Sequence, residues 1–254
     1  MSKYCLLGEH LGHSFSAIIH NYIYKRLSLD NEYTLREEKK EDIINVVNDL
    51  KNGTLKGINV TIPYKVEIMK YLDYISDEAK KIGAVNTVKS VNGKLYGYNT
   101  DYMGFEMELN HFNVSPKNKK TYILGNGGAS KAVIQLFIDK NYDFEIVARS
   151  SHGYDVISYE EFEKRCDKDI VINCTPVGMY PNVDNIVVSE ESLKDSIGVD
   201  LIYNPLETKF IKSCKEGYNG LYMLVGQAVR AFEIWEDIKI DFIDEIFEYV
   251  KEAI

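Results

Sequence analysis

Thr121-Tyr122-Ile123-Leu124-Gly125-Asn126-Gly127-Gly128-Ala129-Ser130, running on into a helical pattern over 131–139, is the stretch that decides the fold. Residues 121–124 are apolar or β-prone and read as a buried strand, 125–130 as a Gly-rich turn, and the rest as a helix packed back on that strand. A first glycine permits the tight turn, and a second lets the backbone approach a pyrophosphate. The helix N-terminus adds free N–H groups and partial positive charge. The strict fingerprint has a third glycine where this chain has Ser130. A bare strand-to-helix turn is the plainer reading, and the next strand, 144–148, weighs against it. It ends in Ala148-Arg149-Ser150-Ser151, where an NAD site usually carries an acidic residue for the ribose 2′-OH. A guanidinium there pairs instead with a 2′-phosphate, and the Ser hydroxyls can donate to it, so the residues favour NADP over NAD. A solvent-exposed Arg at a strand end is the alternative.

Working outward, strand and helix patterns alternate along most of the chain. Strand candidates are 3–7, 33–36, 57–61, 170–173 and 199–203. Segments 85–90 and 94–97 flank Asn92-Gly93, a type I′ hairpin signal. Helix candidates are 15–27, with Ile18, Ile19, Tyr22 and Ile23 on one face, 42–50, 76–82, 101–112 capped by Thr100 or Asp101, 221–235 and 242–250. The alternation predicts a parallel, doubly wound sheet. By composition, the polar stretch 113–120, with Pro116 and several lysines, is the candidate domain boundary.

The 254 residues suffice for one large or two modest domains, and 45% apolar content allows a sizeable core. Thirty basic against 39 acidic residues give a net charge of −9, which argues against broad nucleic-acid binding. The first residues carry no long apolar stretch, so a secretory signal is not expected, and no run is long enough to span a bilayer. Cys5, Cys166, Cys174 and Cys214 form no CxxC pair and read as reduced residues of a cytoplasmic protein.

Three segments carry candidate chemistry. In Asn59-Val60-Thr61-Ile62-Pro63-Tyr64-Lys65 a lysine follows a strand end among polar groups. Lysine is a workable proton shuttle when a carboxylate orients it. In Gly97-Tyr98-Asn99-Thr100-Asp101 the acid either caps the next helix or orients Lys65. In His13-Ser14-Phe15-Ser16 the hydroxyls either cap a helix or hold a carboxylate ligand at its N-terminus. Glu9, His10 and His13 have no partner cluster downstream, so no metal site is expected.

Taken in order, these segments resemble the shikimate dehydrogenase family across nearly the whole chain. The resemblance runs from Gly8-Glu9-His10-Leu11-Gly12-His13-Ser14-Phe15-Ser16 and His20-Asn21 through 59–65, Gly83-Ala84-Val85-Asn86-Thr87 and Asn99-Thr100-Asp101. The glycine turn and Arg149 follow, then Asn173-Cys174-Thr175-Pro176-Val177-Gly178-Met179 and Asp200-Leu201-Ile202-Tyr203-Asn204-Pro205. Residues 220–227 and Ala231-Phe232-Glu233-Ile234-Trp235 complete it. The resemblance implies an α/β chain of two domains. One is an N-terminal α/β substrate domain, 1–101, completed by 227–254. The other is a Rossmann-like doubly wound dinucleotide-binding domain, 102–226. It implies reversible NADPH-dependent reduction of 3-dehydroshikimate to shikimate in aromatic amino-acid biosynthesis, with Lys65 and Asp101 as the catalytic pair. Ser14, Ser16, Asn59, Thr61, Asn86, Tyr203 and Gln227 would join them around the substrate. Gly125, Asn126, Gly127, Gly128, Ala129, Arg149, Ser150, Thr175, Leu201 and Gly220 would line the cofactor, with Asp77.

The sequence departs from the family pattern in places. His10 and Ala17 stand at usual prolines, Ala148 replaces an Asn before the Arg, and Gly153 stands where a second basic residue is common. The last departure makes preference for NADP over NAD less secure. Two alternatives stay open: a quinate/shikimate dehydrogenase using NAD, and a non-catalytic dinucleotide or metabolite sensor. The expected partners are a small-molecule substrate, with no nucleic acid and no membrane, in a monomer or homodimer.

Overall fold

Strand β1 (Ser2–Gly8) is buried from Tyr4 onward, as expected of a run with parallel neighbours on both sides. It pairs in parallel with β2 (Asn31–Glu37) and β3 (Gly57–Val60). Helices α1 (Ser16–Arg26) and α2 (Ile43–Lys51) make the crossovers. Next in the chain come β4 (Tyr74–Ile75), α3 (Asp77–Ile82), β5 (Thr87–Val91) and β6 (Lys94–Tyr98). The sheet order is β2-β1-β3-β5-β6-β4, with β5 antiparallel to both β3 and β6. Asn92 (φ 52°) and Gly93 (φ 77°) turn the β5–β6 hairpin through the left-handed region that a type I′ turn requires.

The computed structural model describes residues 1–12 and 14–254. The chain forms two compact units: Met1–Gly104 with Val225–Ala253, and Phe105–Leu224 with Ile254. Helix α4 (Asp101–His111) carries the chain from the first to the second, and α8 (Leu221–Glu236) carries it back. The boundary therefore falls inside α4, not in 113–120. That stretch stays with the second unit because Val114 is buried and its N–H returns to the Leu109 carbonyl.

In the first unit, α2 buries Ile43, Val46, Val47 and Leu50, an i, i+3, i+4, i+7 face, against Leu7, Ile58, Val60 and Val88. Later chain closes the same unit. Tyr4 stacks on Trp235 of α8 at 4.7 Å, and the Trp235 indole N–H donates to the Val88 carbonyl at 3.0 Å. Helix α9 (Ile243–Lys251) meets α1 through Tyr22 and Tyr249, stacked at 4.2 Å.

The second unit contains β7 (Thr121–Leu124), α5 (Ser130–Asp139), β8 (Phe144–Val147), β9 (Val156–Ile157) and α6 (Tyr159–Glu163). Then follow β10 (Ile170–Asn173), β11 (Ile197–Asp200), α7 (Lys209–Lys212) and β12 (Glu216–Asn219). Its six-stranded sheet runs β12-β11-β10-β7-β8-β9 with every pair parallel. That is the doubly wound order, with its switch point between β7 and β10. Two expectations shift locally. The strand expected over 199–203 ends at Asp200, because its carboxylate accepts the Ile202 N–H and turns the chain out of the sheet. The Thr100 hydroxyl does not cap α4; it points to the Asn86 side chain.

Gly57 lies where any Cβ would overlap the Trp235 indole, which its bond to Val88 holds in place. Gly57→Ala should therefore lower stability by about 2 kcal/mol in urea unfolding. An unchanged midpoint would mean that the indole is not fixed there.

Candidate active site

Lys65 and Asp101 are brought together in the first unit. After β3, the Thr61 N–H donates to the Leu7 carbonyl and the Tyr64 N–H to the Thr61 carbonyl, each at 2.9 Å. The Tyr64 ring is buried and its hydroxyl donates to the Glu38 carbonyl at 2.6 Å, while the Lys65 carbonyl accepts the Val85 N–H at 2.8 Å. After β6, the Asn99 amide donates to the Ala84 carbonyl at 3.0 Å and accepts the Asp101 N–H at 3.1 Å. These anchors place Lys65 Nζ 2.6 Å from Asp101 Oδ2, with the side chains 18% and 14% exposed. Asp101 is the one acceptor of this ammonium among the described residues, so further N–H donors remain for a ligand.

Behind the pair lies a buried polar cluster. Asn86 Oδ1 accepts from the Thr100 N–H at 2.7 Å and from the hydroxyls of Thr100 and Thr87. The Asn59 amide donates to Thr87 Oγ1 at 3.0 Å and to the Asn86 carbonyl at 3.3 Å. Its oxygen accepts the Tyr33 hydroxyl at 2.8 Å and lies 3.2 Å from His20 Nε2. Asn59 is thus saturated within the unit. Ser16 opens α1, and its N–H donates to Ser14 Oγ at 3.3 Å. Thr61 is half-buried at the end of β3, and Gln227 is buried on α8 in the same unit. Asp77 opens α3 at the surface, paired with Lys80 at 3.1 Å, and Tyr203 lies half-buried in the second unit.

In the second unit the glycine turn lies at the switch point. Gly125 has φ 93°, and a Cβ there would stand 2.9 Å from the Thr175 methyl, so the loops after β7 and β10 touch. Space is open above Gly127 and Gly128, where a Cβ would meet nothing within 4 Å. Ser130 explains the missing third glycine: it is buried, and its hydroxyl bonds back to the Gly127 carbonyl at 2.8 Å. The Asn126 amide donates to the carbonyls of Ser150 and Ser151, tying the turn to the loop after β8. Arg149 is exposed there and forms no ion pair among the described residues. Gly220 packs directly on the Leu201 backbone, leaving no room for a Cβ. An open backbone cradle, a helix N-terminus and a free guanidinium fit a phosphorylated dinucleotide.

Sequence reasoning missed the support beneath this loop. Asp200 accepts from the Asn173 amide at 3.0 Å and from the Thr208 hydroxyl at 2.6 Å, and Asn173 Oδ1 accepts the Thr175 N–H and hydroxyl. Burial pushes the Asp200 carboxyl up to about 7 against the three donors that favour its charged form. The one sequence signal was a polar residue, Asn173 or Asp200, closing the apolar runs of β10 and β11. Among the described residues no group of His, Cys, Asp and Glu is arranged to hold a metal, and His13 lies outside them. No helix among them is long and apolar enough to cross a membrane.

The all-parallel sheet with a glycine turn at its switch point, in one chain with a unit holding a Lys–Asp pair, defines a two-unit dinucleotide-binding α/β protein. Residues 6–88 match the shikimate dehydrogenase substrate binding domain, and 220–253 the shikimate 5′-dehydrogenase C-terminal domain. A shikimate dehydrogenase (NADP(+)) of Clostridium beijerinckii is 44% identical over 254 residues, spanning 95% of this chain and 94% of that protein. Among crystal structures, a chorismate mutase/shikimate 5-dehydrogenase fusion protein from Clostridium acetobutylicum matches with a TM-score of 0.95 at 44% identity, covering 100% of this chain and 98% of that one. Shikimate 5-dehydrogenase from Thermus thermophilus, in complex with NADP(H) and shikimate, matches at 0.91 and 28% identity, with 100% of both chains covered. The chain belongs to the shikimate dehydrogenase family.

His20 is fully buried, and burial holds its imidazole down at about 3 from the usual 6.5. Between those values the unfolded chain binds a proton that the folded chain refuses. Stability therefore falls as pH is lowered through that window, and this group contributes no slope above it. Denaturant unfolding at about pH 7 and about pH 5 should show the wild type losing about 2 kcal/mol more than His20→Gln. Equal losses would remove His20 as the cause.

Proposed function

We propose that this chain catalyses the reversible NADPH-dependent reduction of 3-dehydroshikimate to shikimate, a step of aromatic amino-acid biosynthesis. The observation that carries the reading is the Lys65–Asp101 pair, within a chain of this family. Bound NADPH supplies the hydride for the carbonyl carbon. The protein's part is the proton. The Lys65 ammonium donates to the carbonyl oxygen as it becomes a hydroxyl, and the neutral amine takes the proton back in the reverse direction. Asp101 holds Nζ in place through the 2.6 Å hydrogen bond. Ser14 and Ser16 at the start of α1, with Thr61, Asn86, Tyr203 and Gln227, are assigned to the substrate's carboxylate and hydroxyls, and Asn59 to this group through its hold on Asn86. Gly125 to Ala129, Ser150, Thr175, Leu201 and Gly220 are assigned to the cofactor, as is Asp77, and Arg149 to its 2′-phosphate. Four unpaired cysteines suit a cytoplasmic setting.

A non-catalytic sensor would have no use for a half-buried ion pair whose ammonium keeps free donors, so that reading is set aside. Use of NAD has one observation in its favour. Gly153 follows Arg149 where a second cation would strengthen phosphate binding, leaving a single guanidinium to select NADP.

Lys65→Ala should lower kcat by about 10²–10⁴-fold while leaving the Kd for NADPH unchanged. A kcat near wild type would refute the role of Lys65. Arg149→Ala should weaken NADPH binding by about tenfold to a hundredfold and NADH binding hardly at all, measured by titration calorimetry. Equal weakening of both would place Arg149 away from the 2′-phosphate.

A further inference from the structure

The hydrogen bonds around Asn86 have a direction that backbone groups impose. An amide oxygen and nitrogen can be exchanged in assignment, but the partners here settle which is which. The atom of Asn86 that meets the Thr100 N–H at 2.7 Å must accept, so it is oxygen. The atom of Asn59 that meets the Asn86 carbonyl at 3.3 Å must donate, so it is nitrogen. The other Asn59 atom is then an oxygen, and His20, 3.2 Å away, must present Nε2–H to it. His20 is therefore the neutral Nε2–H tautomer, and its Nδ1 is buried with no partner among the described residues.

The remaining bonds follow in sequence. Tyr33, whose ring stacks on His20 at 4.2 Å, also donates to the Asn59 oxygen. Asn59 donates to Thr87 Oγ1, which leaves the Thr87 hydrogen for Asn86 Oδ1 or for Thr100 Oγ1, 3.2 Å away. Either way the hydroxyl hydrogens of Thr87 and Thr100 lead to Asn86 Oδ1, while the second Asn59 N–H holds the Asn86 backbone carbonyl. That oxygen is surrounded by donors, while Asn86 Nδ2 has no partner among the described residues. His20, Tyr33, Asn59, Thr87 and Thr100 are all at most 4% exposed, so water does not compete for these bonds.

We propose that His20, Tyr33, Thr87 and Thr100 are positioning residues that lock the Asn86 amide in the one orientation that offers hydrogens to the substrate. The inference rests on the assignment of Asn86 to the substrate made above, and it specifies the chemistry there. The substrate atom facing Asn86 is met as an acceptor, and a group able only to donate is rejected because the amide cannot turn over. Turning it would set the NH₂ against the Thr100 N–H and leave buried hydroxyls unpaired.

Thr87→Val keeps the shape and removes the hydroxyl. It should raise the KM for shikimate about tenfold, leave the Kd for NADPH unchanged and change kcat less than threefold; Thr87→Ser should restore the KM. Tyr33→Phe keeps the stacked ring and should raise the same KM about threefold, serving if Thr87→Val does not fold. Thr87→Val with a lowered Tm and an unchanged shikimate KM would overturn the proposal, as would failure of Thr87→Ser to restore the KM. Asn86→Leu separates this inference from its premise. If Asn86→Leu raises the shikimate KM and Thr87→Val does not, the lock alone is wrong. If Asn86→Leu leaves it unchanged, the substrate assignment fails and the lock's function with it.

Discussion

Everything in the first unit converges on one ion pair, Lys65 Nζ to Asp101 Oδ2 at 2.6 Å. The sheet makes it possible. β3 and β6 are both antiparallel to β5, so their C-terminal ends leave the same edge with a single strand between them. That spacing is about 10 Å between backbones, which a lysine and an aspartate can close. Removing the pair from water on most sides is costly, and a half-buried ion pair is weak evidence for stability. The anchors around it, through Tyr64 to Glu38 and Asn99 to Ala84, show where the fold supplies the compensating order. The proposed function gives a pair so held the work of proton transfer.

The second unit uses the polar residues that close β10 and β11, Asn173 and Asp200. Gly125 after β7 and Thr175 after β10 flank the switch point, where the diverging crossovers leave a crevice. The Thr175 loop is held by Asn173, Asn173 by Asp200, and Asp200 by Thr208. Leu201 follows Asp200 and touches Gly220. Thr175, Leu201 and Gly220 thus share one buried hydrogen-bonded base, and the loop above needs no regular structure of its own.

Much of this was legible in the sequence where local physics suffices. The helical periodicity over 42–50 gave α2, Asn92-Gly93 gave the hairpin, and the alternation of strand and helix patterns gave the parallel sheet. Short pieces such as β4, β9 and α7 escaped because a few residues show no period. The strand after 199 stopped early because a side chain, not a turn residue, ended it. Pairing of Lys65 with Asp101 depends on strand order, which periodicity does not encode; the family resemblance supplied that pairing. The cluster around Asn86 was hidden for another reason. Ser, Thr and Asn near strand and helix ends read as caps and turns, so the Thr100 hydroxyl was placed on a helix end when it is directed at an amide oxygen. Buried polar networks are built from the same residue types as loops, and only burial distinguishes them.

The central claim is that this site moves a proton while a nicotinamide moves a hydride. The most direct test follows nicotinamide absorbance with the purified chain, offering shikimate or quinate with NADP or NAD. The account predicts turnover with shikimate and NADP that exceeds every other combination. Absence of turnover with all four pairs would contradict it.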